Sequence, residues 1–384
     1  VNSIADSRVA WLFPGLKRGF YWHPVLSEFT KRFKNTIIYT GNWPGYVSGF
    51  EETFTVKVVG KTKFVETNLP EGGYSRGSYY VSPKIIGHLL GFKPHVIFAL
   101  SFSAWTLLAI LFKPLARWRV VIVYNGSSPN VDRRDSKVHI FYRRMMVRLA
   151  DALITNSQAG KAYLTQILEA NENHVFARPY GVPTPTALLE QQEKANLSIP
   201  ELPHPVFLFI GVVEYRKGLH FLLKACNQLQ QQGNQNYTLL VAGEGSQQEE
   251  LEDFIKQNHL EQQVHWAGWV DYSQLGAYFE KTDVFVFPTL EDIWGMVLLE
   301  AMACGKPVLC SHWAGAKELV EVGENGYIFD PYNPDALAAL MRRFIDHPEL
   351  IPTMGQKSKQ LIAPHNPEAA ANFLAEVTAF VLDH

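Results

Sequence analysis

Cysteine is scarce in this 384-residue chain: Cys226, Cys304 and Cys310 are the three present, and neither a Cys-x-x-Cys pair nor a Cys/His ligand spacing occurs. That speaks against a disulfide framework and a thiolate zinc site, and it predicts a chain suited to a reducing cytoplasm. No two aspartates stand one residue apart, so a diphosphate held through an Asp-x-Asp-bound metal is not expected, and neither a metal nor a cofactor is called for. The segment "VNSIADSRVAWLFPG" lacks a basic stretch followed by a long apolar core, so no signal peptide is read there. The most lipid-like stretch, "SFSAWTLLAILFKPLARWRVVIVY", reaches Lys113-Pro114 after about a dozen mostly apolar residues, too few to span a bilayer. It reads as a buried helix or as an interfacial one edged by Trp105, Lys113, Arg117, Trp118 and Arg119.

Charge is plentiful but uneven. Residues 1–150 hold 21 basic and 8 acidic side chains, net +13, and the remainder holds 14 and 29, net −15, within an overall balance of −2. Such a split suits a first part that meets something anionic: a phospholipid surface, a phosphorylated acceptor or nucleic acid. No recognised nucleic-acid motif accompanies the charge, so nucleic acid is not expected as a partner. An anionic membrane, touched peripherally from the cytoplasmic side, is. The densest basic stretch, "NVDRRDSKVHIFYRRMMVRLADALITNS", sets Arg133, Arg134, Arg143, Arg144 and Arg148 among Phe141, Tyr142 and Met145. It reads as a membrane or phosphate contact or as an ion-paired helix face.

What recurs is a short Val/Ile/Phe run, then a glycine or polar loop, then helical spacing, the alternation of a parallel sheet. "RVAWLFPG", "NTIIYTG", "HVIFAL", "RVVIVYNG", "DALITNS" and "HVFARPYGV" precede residue 183; "PVFLFIG", "YTLLVAGEG", "QVHWAGW", "DVFVFPT" and "KPVLCSH" follow. Between the series lies a proline-punctuated segment that reads as a linker. The expected fold is α/β: two doubly wound Rossmann-like domains, residues 1–183 and 205–365, joined by a linker at 184–204, facing a central cleft. Ligands of such sheets bind beyond the carboxyl ends of the strands, so function is sought in those loops.

The segment "DVFVFPTLEDIWGMVLLEAMACGKPVL" reads as a strand, a loop, a helix of about ten residues and a second strand. Its loop puts Glu291, Asp292, Trp294 and Gly295 at a helix N-terminus, followed by Met296 and Val297, where unpaired N–H groups favour an anion. Asp292 reads as a helix cap or as an acceptor for ligand hydroxyls. Glu300, two turns on in an apolar helix, needs a buried partner, a hydroxylated ligand or an arginine. Two acceptors flanking an anion-favouring helix end match a nucleotide sugar. Here the chain resembles the retaining glycosyltransferases of family 4, of the GT-B fold: an acid, seven residues, then "EAMACGKPVL". The resemblance implies that Asp292, shorter than the usual Glu, orients the sugar, with Glu291 as its competitor, and that Glu300 holds the ribose.

In "FLFIGVVEYRKGLHFLLKA" a strand ends at Gly211, and Arg216-Lys217 open the following helix. Cations at that turn suit a leaving diphosphate whose charge grows as the glycosidic bond breaks. The resembling family has an Arg directly after this glycine; Val212 stands there instead. "AGEG" lacks the third glycine of a dinucleotide loop, so a nicotinamide cofactor is not expected. By resemblance, Trp269 and Val270 pass near the base, Gly15 carries over as a close-approach glycine, and the C-terminal residues 366–384 form a helix crossing back to the first domain. Arg18, His23 and Asn125 are acceptor-side candidates.

The expected activity is transfer of a sugar from a nucleoside diphosphate to a hydroxyl acceptor of a lipid, lipid-linked or polysaccharide-precursor kind, with retention. The alternatives are an inverting transferase with His23 or Asp132 as base, and a sugar-nucleotide-binding protein with reduced catalysis.

Overall fold

A computed structural model describes residues 4–16, 21–68, 73–74, 76–184 and 201–384. Most of the expected linker, 185–200, lies outside the described residues, as does Arg18. By contact the chain divides into one unit of Val1–Pro70, Ser75–Val182 and His365–His384 and another of Glu71–Tyr74 and Pro183–Pro364.

The first unit comprises β1 (Val9–Phe13), α1 (Trp22–Arg32), β2 (Thr36–Thr40), β3 (Thr55–Val58), a hairpin of β4 (Lys63–Asn68) and β5 (Arg76–Tyr80), α2 (Ile85–Phe92), β6 (Val96–Leu100), α3 (Ala104–Ala116), β7 (Arg119–Tyr124), α4 (Pro129–Asp132), α5 (Lys137–Leu149), β8 (Ala152–Thr155), α6 (Gln158–Ala162) and β9 (Val175–Ala177). The second comprises β10 (Val206–Ile210), α7 (Leu219–Gln231), β11 (Thr238–Ala242), α8 (Gln248–Gln257), β12 (Val264–Gly268), α9 (Leu275–Glu280), β13 (Val284–Phe287), α10 (Met296–Ala303), β14 (Val308–Ser311), β15 (Gly326–Phe329), α11 (Pro334–Asp346) and α12 (Leu350–Ile362). The final helix, α13 (Pro367–Asp383), belongs to the first unit.

Each unit has its own parallel sheet. The first runs β3-β2-β1-β6-β7-β8-β9 and the second β12-β11-β10-β13-β14-β15. In each, the order reverses beside the unit's first strand, the arrangement that opens a ligand crevice at the strand ends. The runs are apolar throughout because both faces of a parallel strand are covered. Alternation assigns the sides: Val9, Trp11 and Phe13 pack with α1 and α13, and Ala10 and Leu12 pack with α2, α3 and α5. Trp11 stacks on Phe98 with ring centroids 4.3 Å apart and lies edge-on to Phe29. In the second unit Phe207 and Phe209 meet α7 and α11, and Val206 and Leu208 meet α10.

Several elements went unread in the sequence. The strands β3 and β15 and the β4–β5 hairpin are short or polar, and α10 has 8 residues where about ten were expected, because Gly295 delays its start. The "SFSAWTLLAILF" stretch is α3, N-capped by Ser103, with Trp105, Ala109 and Ile110 buried against the sheet. No described helix is long and apolar enough to cross a membrane.

Because Leu374 on α13 is fully buried in the first unit's core, Leu374→Ala is expected to cost about 2–5 kcal/mol in denaturant unfolding. A change within about 0.5 kcal/mol would mean that this helix is not an integral part of that core.

Candidate functional site

The second sheet reverses order between β10 and β13, and the loops leaving these two strands meet. After β10, Gly211 bends away and residues 215–217 form a single 3-10 turn ending at Gly218. After β13, Pro288 leads through Thr289 to Asp292. Gly218 has φ +71°, and a Cβ built on it would lie 2.0 Å from the Pro288 carbonyl oxygen. Only glycine combines that backbone with that approach. Leu290 N–H donates to the Arg216 carbonyl (2.8 Å) and the Arg216 guanidinium returns a bond to the Glu291 carbonyl (3.0 Å). The second loop is fixed from its other side too: Asp292 N–H donates to the Trp313 carbonyl, and Gly315 N–H donates to the Asp292 carbonyl.

This clasp sets the charges. Lys217 Nζ lies 2.9 Å from Asp292 Oδ2, and an Arg216 nitrogen is 3.8 Å from the same oxygen. Asp292 Oδ1 accepts from Trp294 N–H at 3.2 Å, a turn bond ahead of the helix, whose N-cap is Gly295 and not the aspartate. Burial pushes the Asp292 carboxyl up, but Lys217, then Arg216 and the Trp294 N–H, outweigh it and hold the group below its ordinary range. Glu291 is also buried. It accepts a bond from the backbone N–H of Tyr74 at 2.8 Å, and the Arg216 guanidinium lies 4.2 Å from the centre of the Tyr74 ring. Tyr74 groups with the second unit; nothing in its sequence neighbourhood signalled it.

Gly295, at φ +106°, is the N-cap of α10, and Met296 and Val297 begin the helix. Trp294 is buried in the core beneath. Two turns into α10, Glu300 is buried, and burial raises its carboxyl to about 7 despite a hydrogen bond with the Tyr272 side chain. The partner that the sequence demanded for Glu300 is thus a phenol, not an arginine. Val270 is half-buried, and Trp269 is exposed with its backbone N–H donating to the Glu244 carboxylate. The "AGEG" glycines serve packing: Cβ atoms at Gly243 and Gly245 would fall 1.9 Å from the Gly211 oxygen and 2.3 Å from the Val213 oxygen. Val212, where the resemblance placed an arginine, is 42% exposed.

The first-unit candidates fare differently. Gly15 sits beside the Tyr79 ring. His23 is buried, stacked on Trp43, accepts from Val47 N–H through Nδ1, and has its pKa lowered to about 4 by burial. A ring so packed is a core histidine, not one presented to an acceptor. Asp132 is fully buried and accepts bonds from the Tyr124 hydroxyl on Oδ1 and from Ser127 and Arg134 on Oδ2. Both bases expected of the inverting alternative are thus buried side chains of the first unit. The Asn125 side chain accepts from the Tyr180 hydroxyl and its carbonyl from Asn156. Among the basic stretch, Arg143 is buried on backbone carbonyls, and Arg144 and Arg148 share Glu169. Much of that charge is internally paired.

Residues 191–361 match the family model for glycosyl transferases group 1. Over 133 residues the chain is 34% identical to an uncharacterized glycosyltransferase of Methanocaldococcus jannaschii, covering 35% of this chain and 34% of that protein. It is 27% identical over 215 residues to the glycogen synthase of Mycobacterium tuberculosis, covering 56% and 50%. The chain thus spans half or less of these two relatives. The solved structure of Anabaena HepE in complex with UDP and glucose superposes with a TM-score of 0.69 at 18% identity, over 97% of this chain and 99% of that one. The fold is the GT-B architecture of glycosyltransferases.

The raised carboxyl of Glu300 has a consequence for stability. An acid whose folded pKa is raised contributes fully below its ordinary value near 4.5, and that contribution is lost as pH rises through about 7. Glu300→Gln should therefore gain stability relative to the native chain as pH goes from 5 to about 8. Parallel pH profiles from urea unfolding would contradict the burial argument.

Proposed function

We propose that the protein transfers a sugar from a nucleoside diphosphate to an acceptor hydroxyl with retention of configuration. The observation that carries this reading is the clasped pair of loops at the strand-order reversal, where Arg216 and Lys217 stand against Asp292 at 3.8 and 2.9 Å. Two cations on a turn held by backbone bonds to the neighbouring loop suit the diphosphate charge that develops as the donor breaks. Asp292 orients the sugar and is kept ionised by the same cations. Glu300 accepts from the ribose hydroxyls, and its carboxylate form is favoured once those donors arrive. Trp269 and Val270 border the base.

With His23 and Asp132 both sequestered, front-face substitution is the simplest course. The bond from the anomeric carbon to the diphosphate oxygen breaks, and the leaving oxygen takes the acceptor's proton. The acceptor oxygen then bonds to the same face. Lys217 and Arg216 hold the charge left on the diphosphate, and no metal step is invoked. Uridine is the first base to test, because the Anabaena structure is a complex with UDP and glucose. The acceptor is a hydroxyl of a lipid, lipid-linked or polysaccharide precursor, and the protein works peripherally at an anionic membrane.

Lys217→Ala is expected to lower kcat by about 10²–10³, measured as release of the free nucleoside diphosphate from a panel of UDP-, GDP- and ADP-sugars. Asp292→Ala should lose turnover as well while retaining nucleotide-induced thermal stabilisation. Unchanged turnover in Lys217→Ala would remove the site assignment. Nucleotide binding without turnover in the native chain would favour the binding protein with reduced catalysis.

A further inference from the structure

Two neighbouring helices of the first unit turn large apolar side chains outward. On α3 the inward side is Trp105, Thr106, Ala109 and Ile110, and on the opposite side Leu111 and Leu115, one turn apart, are 56% and 81% exposed. On α5 the inward side is Arg143, Met146 and Val147, and Val138 and Phe141 are 76% and 74% exposed, with Leu149 also exposed. Positions 138, 141 and 149 fall on one stripe of a helix. The helices pack into the same core, and Lys113 of α3 donates to the Leu149 carbonyl of α5 at 3.0 Å. An apolar surface of this kind on a soluble unit marks an interaction site.

Charge selects the occupant. Neither helix contains an aspartate or glutamate, and none occurs anywhere between Glu71 and Asp132. Exposed Arg117, the C-cap of α3, and exposed Lys137, the first residue of α5, stand at the ends of the stripe. Exposed apolar side chains flanked by cations, on helices that carry no carboxylate of their own, fit the headgroup and acyl boundary of an anionic bilayer; the neighbouring Asp151 and Glu169 are ion-paired to Lys113, Arg144 and Arg148. A second copy of the same face would oppose cation to cation. We propose that α3 and α5 form a membrane-docking face that inserts Leu111, Leu115, Val138 and Phe141 into anionic lipid while Arg117 and Lys137 meet the headgroups. This rests on the peripheral-membrane part of the function proposed above. It transfers that role from the internally paired arginines to the outward apolar stripe.

The test is co-sedimentation of the full chain with phosphatidylcholine vesicles, with and without phosphatidylglycerol. The native chain should bind the anionic vesicles, and a Leu115→Glu/Phe141→Glu double variant should bind about tenfold more weakly or worse. Because both side chains are already solvated, the variant should keep the native thermal midpoint and donor turnover. Arg117→Glu/Lys137→Glu should weaken binding and flatten its salt dependence. Equal binding by the apolar variant would overturn this face and leave the peripheral reading standing. No binding by the native chain would overturn both, without touching sugar transfer. A concentration-dependent dimer dissolved by the apolar variant would assign the face to a second copy and overturn the proposal.

Discussion

The site depends on how closely two backbone loops approach where the second sheet reverses its order. A side chain at residue 218 would collide with the Pro288 carbonyl, and its left-handed φ disfavours any residue with a Cβ. With glycine there, Arg216 and Lys217 come within reach of Asp292, and backbone bonds between the loops hold the spacing. Neither loop would keep these charges so placed by itself.

Close approach brings desolvation, and desolvation explains why the two buried acids differ. Asp292 is buried against two cations and a backbone N–H, so its ionised form is favoured. Glu300 is buried among Leu298, Leu299, Ala301 and Met302 with a phenol as its hydrogen-bonding neighbour, so its neutral form gains. The loop before α10 thus carries a carboxylate held ionised by neighbouring cations, and the helix itself carries one whose neutral form burial favours. For a ligand bearing hydroxyls and a diphosphate, that difference gives each end of the site its own chemistry.

Much of the architecture was legible because parallel strands are apolar on both faces and their runs stand out. The polar β4–β5 hairpin and the short β3 and β15 carry no such signal. At the candidate site, Asp292, Gly295 and Glu300 could be singled out because they lie within one loop and helix, and Lys217 because it stands in the turn that follows the apolar run ending at Gly211. Tyr74 and Tyr272 were not found, since each acts through a meeting of segments distant in sequence. His23 looked available at a helix start, and only packing against Trp43, Tyr46 and Phe54 reveals it as core. The dense arginines likewise lost much of their apparent reach once Glu169, Asp132 and backbone carbonyls were seen to hold them.

The most direct measurement is a crystal structure of the protein soaked with a UDP-sugar. The account predicts the diphosphate against Lys217, Arg216 and the start of α10, the sugar hydroxyls at Asp292, and the ribose at Glu300. A nucleotide lodged elsewhere, with the Lys217–Asp292 pair undisturbed and no ligand atom near Glu300, would contradict it.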